Sequence, residues 1–113
     1  MKWMDLTSVS QLDLLDESSK DKPILLFKHS TTCSISRTAL DRLQRNWTDA
    51  DDAAHQPFLL DLHRFRAVSN AVADRYGITH ESPQVLVIKN GRCVHDASHF
   101  GITYAGTKQA LEG

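Results

Sequence analysis

Apolar and polar residues alternate along this chain in blocks whose spacing distinguishes helix from strand. Leu12, Leu14 and Leu15, interleaved with acidic residues and preceded by Ser8 and Ser10, predict a capped first helix ending near 18–20, after which Pro23 resets the chain. Ile24-Leu25-Leu26-Phe27 is a continuous apolar run after a turn signal, the pattern of a strand buried on both faces. From Ile35 the apolar positions Ala39, Leu40, Leu43 and Trp47 mark one face of a second helix, with Arg37, Asp41, Arg42 and Arg45 between them. The polar, acidic stretch from Trp47 to Gln56 predicts a solvated surface loop closed by Pro57. Phe58 to Leu62 predicts another strand. Ala67, Val68, Ala71, Val72 and Tyr76 then form a helical stripe that stops at Gly77. Val85 to Ile88, Asn90-Gly91 and Arg92 to Ala97 predict a β-hairpin through a type I′ turn. Thr103 caps a short last helix, and Lys2 to Leu6 is a candidate edge strand.

Strands that alternate with helices imply parallel pairing through right-handed crossovers, and the terminal hairpin adds antiparallel strands to the same sheet. The order predicts an α/β three-layer sandwich of thioredoxin-like arrangement, with a mixed central sheet. A length of 113 residues suits one domain, 1–113, and supports a hydrophobic core without metal or disulfide staples.

Charge narrows the function. Thirteen basic against fourteen acidic residues leave a net charge of -1, so no basic field favours nucleic acid. The N-terminal residues lack the apolar core of a signal peptide, and no apolar run is long enough to span a bilayer. The expectation is a cytoplasmic protein without a membrane partner. Two distant cysteines make no disulfide framework, and a reducing compartment keeps both as thiols.

Cys33 follows the buried strand and opens the next helix. Unpaired amides at a helix N-terminus, here those of Ile35 and Ser36, stabilise an anion, and thiolate is the reactive form of cysteine. Lys28 and His29 are expected to add positive potential. Position alone leaves a small apolar filler as the rival. The spacing Cys33-Ser34-Ile35-Ser36 is that of a Cys-x-x-Cys site with serine in the second place. Serine can hydrogen-bond a thiolate but cannot close a second disulfide, so such a site hands its mixed disulfide to an external thiol. Ser82-Pro83 precedes the strand from Gln84, and the peptide between them is expected to be cis, facing Cys33.

Lys28 to Ser36, Val68-Ser69-Asn70, His80 to Gln84 and Ser98 to Thr103 together resemble the monothiol bacilliredoxin family of thioredoxin-like proteins, over nearly the whole chain. The resemblance implies a thiol-disulfide oxidoreductase that removes bacillithiol, or a related low-molecular-weight thiol, from mixed disulfides on cytosolic proteins. It implies catalytic roles for Cys33 and Ser36, and a substrate-binding surface of Thr32, Ser34, Ser82, Pro83 and His99. It implies no cofactor. Ser34 departs from the family pattern, which more often has proline there.

Other constellations carry less. Cys93, His95 and His99 lie close in sequence, but His99 lies beyond the strand and no fourth ligand is evident, so no metal site is expected. Arg37, Arg42 and Arg45 make a basic helix face on which Arg37 is placed to hold carboxylates of a substrate thiol. A thioredoxin-fold binding module without redox turnover is the alternative function. A Cys-His hydrolase using His29 or His80 lacks an orienting group and an oxyanion element. Finally, about five strand residues at roughly 3.3 Å each separate Cys33 from Cys93 by about 16 Å, whereas a disulfide needs Cα atoms within about 7 Å. No bridge between them is expected.

Overall fold

The computed structural model describes residues 1–113. Five strands form one mixed sheet: β1 (Met4–Asp5), β2 (Ile24–His29), β3 (Gln56–Asp61), β4 (Gln84–Lys89) and β5 (Arg92–Ser98). Their order is β1-β3-β2-β4-β5. β3 runs parallel to both β1 and β2, and β4 runs antiparallel to β2 and β5. Five helices, α1 (Gln11–Ser18), α2 (Ser34–Asn46), α3 (Asp49–Ala54), α4 (Arg66–Tyr76) and α5 (Tyr104–Glu112), cover the sheet, and a 3-10 turn (His99–Gly101) joins β5 to α5.

Every residue of β2 is buried, as its unbroken apolar run requires of a central strand. Side chains alternate across the pleat. Ile24 and Leu26 enter a core with Leu12 and Leu15 of α1 and Val68 and Val72 of α4. Leu25 and Phe27 enter a second core with Ala39 and Leu43 of α2 and Leu111 of α5. The sandwich therefore has a core on each side of the sheet. Pro57 is tolerated in β3 because β1 pairs only with Phe58 and Leu59, leaving the edge open at the proline.

The hairpin turns as its sequence predicts. Lys89 faces Arg92, and Asn90 (φ 52°) and Gly91 (φ 73°) both occupy left-handed backbone. Gly77 (φ 66°) ends α4, and the Thr103 side chain caps α5 by accepting from Gly106 N at 3.0 Å.

Two expectations need correction. The acidic stretch after Trp47 is not a loop but the helix α3, held by a capping box in which Thr48 Oγ1 accepts from Asp51 N and Asp51 Oδ2 accepts from Thr48 N. Its aspartates fall in the first turn, where the helix dipole favours carboxylates. The second concerns α1, where no serine side chain caps the helix. Gln11 Oε1 instead accepts from Thr7 N (2.7 Å) and Ser8 N (2.9 Å).

Candidate active site

β2, the middle strand, delivers Cys33 to one end of the sheet. After His29 the chain turns through Ser30 to Thr32, with Cys33 N donating to Ser30 O at 3.2 Å, and Cys33 becomes the N-cap residue of α2. Its backbone is extended (φ -104°, ψ 122°), and the first helical bond runs from Arg37 N to Cys33 O at 3.1 Å. The amides of Ser34, Ile35 and Ser36 thus precede the ladder and point out of the helix end. Cys33 is half-buried, while Thr32 and Ser34 beside it are exposed.

A polar network ties the turn before Cys33 to β2. Ser36 is completely buried, and its Oγ accepts from Ser30 N (3.0 Å) and lies 2.7 Å from His29 Nδ1. With the imidazole proton on Nε2, Ser36 donates to Nδ1; with it on Nδ1, Ser36 accepts twice. No hydrogen bond joins Ser36 to Cys33, so the hydroxyl expected to hold the thiolate instead ties the turn to the strand. Burial holds the His29 pKa below its ordinary value, helped by the nearby Arg37 guanidinium and opposed by Asp61. His63, which no sequence signal marks, extends the network, its Nε2 2.8 Å from Ser30 Oγ and 3.4 Å from Thr32 Oγ1.

Lys28, expected to add positive potential at Cys33, turns to the face of the sheet away from α2. Its side chain is fully buried on the α4 side of the sheet, opposite α2, where Nζ donates to Ser69 O and approaches His80 Nδ1, each at 3.3 Å. Burial without a carboxylate partner lowers its pKa to about 8. His80 is engaged there too, 3.5 Å from Ser69 Oγ.

The Ser82-Pro83 peptide is cis, and Gln84 pairs with Lys28, so continuing the register sets Pro83 beside the end of β2 from which the Cys33 turn departs. Pro83 O accepts from His99 N at 3.0 Å. His99 is exposed, has a left-handed backbone (φ 53°), and lies 3.7 Å from Glu81 through Nε2. A shallow groove runs from Ser34 and Ile35 along Thr38 to Arg42, walled by His99, Phe100 and Ile102.

Cys93 belongs elsewhere. It pairs with Ile88, which pairs with Ile24 at the opposite end of β2, and both cysteines are free. Burial raises its thiol pKa, and Sγ donates to His95 O. Cys93, His95 and His99 do not gather as ligands; the His and carboxylate set that converges is Asp51, His55 and Glu112. Lys108 Nζ already lies 3.5 Å from Asp51 Oδ1 and 3.7 Å from Glu112 Oε1 there.

Cys33 thus stands free at the N-cap of α2, at the same end of the sheet as Pro83. The family model described as monothiol bacilliredoxin BrxC matches residues 4–106. The chain belongs to the monothiol bacilliredoxin family. A solved protein described as having a thioredoxin fold is similar to this bacilliredoxin at 28% identity and a TM-score of 0.82, over 96% of this chain and 92% of that one. Thioredoxins of Fasciola hepatica (17% identity, 96% of this chain, 95% of that one) and Schistosoma mansoni (20% identity, 99% and 97%) each superpose with a TM-score of 0.71. At that identity the thioredoxins carry the fold alone. Family and fold together put this bacilliredoxin's chemistry among the thiol-disulfide oxidoreductases, and none of its helices is long and apolar enough to cross a membrane.

Proposed function

We propose that the chain is a monothiol oxidoreductase that removes bacillithiol, or a related low-molecular-weight thiol, from mixed disulfides on proteins of the reducing cytoplasm, with Cys33 as the one sulfur that turns over. The observation that carries this reading is the half-buried thiol at the N-cap of α2, with serine where a resolving cysteine would stand and the other thiol at the far end of the sheet. Cys33 thiolate attacks the small thiol's sulfur in the mixed disulfide. The old S–S bond breaks, the protein substrate leaves as thiolate and takes a proton from water, and Cys33 keeps the small thiol as a new disulfide. An external thiol, as thiolate, then attacks that disulfide and restores Cys33. Thr32, Ser34, Ser82, Pro83 and His99 surround the approach to the sulfur in this scheme, with Ser36 bracing the turn from below.

Intact mass spectrometry after incubation with a bacillithiolated single-cysteine protein tests it. The expected result is one small-thiol adduct on the chain, located on Cys33 by peptide mapping, with release of free substrate. A Cys33→Ser variant should release none. Wild-type chain that binds the substrate without acquiring an adduct would favour the scaffold reading instead.

A further inference from the structure

We propose that the groove between α2 and the 3-10 turn is the subsite for the carboxylate-bearing end of the low-molecular-weight thiol, anchored by Arg42. The inference rests on the reading of Cys33 given above and deepens it. Ser34, Thr38 and Arg42 are spaced four apart and so form one row on the helix surface, starting next to the nucleophile. His99, Phe100 and Ile102 make the facing wall. At 1.5 Å per residue the row extends about 12 Å from Ser34. A ligand with its sulfur on Cys33 and an anionic group about 10 Å away would reach the Arg42 guanidinium.

Charge selects the occupant. Of the three arginines on this helix, Arg45 is bridged to Asp41 at 2.7 Å, whereas neither Arg37 nor Arg42 has a carboxylate partner. Arg42 alone lines the groove, and a guanidinium fork matches a carboxylate in two parallel hydrogen bonds. Phe100, 76% exposed, offers an apolar face to the carbon skeleton between sulfur and carboxylate. The wall is fixed to the site itself, since the left-handed His99 donates its N–H to Pro83 O. A tail seated here presents the small thiol's sulfur to Cys33, so that bond forms and the substrate protein's thiolate is the leaving group.

The test compares single-cysteine protein substrates carrying bacillithiol, glutathione or cysteamine, the last without a carboxylate. Wild type should discharge the carboxylate-bearing adducts more efficiently than the cysteamine adduct. Arg42→Gln should lower kcat/KM about five- to tenfold for the carboxylate-bearing adducts through KM and leave the cysteamine adduct unchanged, with Arg42→Lys intermediate. Added salt should shrink the wild-type preference. An equal loss on all three substrates, or a wild type indifferent to the carboxylate, overturns the subsite while leaving the turnover of Cys33 intact. A wild type that discharges none of them overturns the reading beneath it, and the subsite with it.

Discussion

Ser36 shows how a residue chosen for its spacing acquires a different task in the fold. Its hydroxyl is fully buried between His29 and the Ser30 amide, so Ser36→Ala leaves two buried polar groups without their partner. The expected cost is about 1–3 kcal/mol in urea denaturation. Because no hydrogen bond joins Ser36 to Cys33, the alkylation rate of Cys33 should change far less than the stability; a large loss of rate at unchanged stability would restore the direct role. Lys28 makes a second prediction. Its folded pKa is about 8 against an ordinary value of 10.5. Between those values the unfolded chain holds a proton that the folded chain has lost, so stability rises with pH across that window. Below it both states are protonated, and the fold bears the full cost of a buried ammonium, roughly 3 kcal/mol. Lys28→Met should therefore be more stable at pH 7 and lose the alkaline rise, as denaturation at several pH values would reveal. An unchanged pH profile would refute the assignment.

At the scale of elements, most of what the chain builds is legible in its sequence, and the failures have physical causes. β2, α2, α4 and the hairpin are long or strongly marked, and their apolar periods and turn residues agree with the tertiary context. α3 escaped because six residues are too few to show a helical apolar stripe, although Thr48-Asp49-Ala50-Asp51 already carries the spacing of its capping box. At the site, Cys33 and the cis Ser82-Pro83 bond follow from position and motif. His63 and the Lys28–His80 contact arise from residues distant in sequence, and no local pattern encodes such meetings. The first turn of α2 yields a further prediction. Ser34 is the first helical residue, where an amide has no intrahelical acceptor, and Cys33 already has the extended backbone that a following proline demands. Ser34→Pro should thus stabilise the protein by about 0.4–1 kcal/mol, read from the urea midpoint. A loss of stability would mean that the serine amide is engaged in the folded chain.

On the scale of the molecule, the sheet keeps its two sulfurs apart. Cys93 is tied through Ile88 to the start of β2, and Cys33 follows its end. Cys93→Ala should leave adduct transfer from a thiolated substrate within about twofold of wild type, while Cys33→Ser abolishes it. A Cys33–Cys93 link recovered by peptide mapping after mild oxidation of the folded monomer would contradict both the strand order and the proposed turnover. The separation also determines what such a molecule can measure. A dithiol closing its own disulfide releases two small thiols for every small disulfide it consumes, so its oxidation depends on the square of the thiol concentration and shifts when the pool is diluted at constant ratio. A chain with one working sulfur exchanges one for one. Working as proposed, it would load in proportion to the ratio of disulfide to thiol around it and be indifferent to how concentrated that pool is.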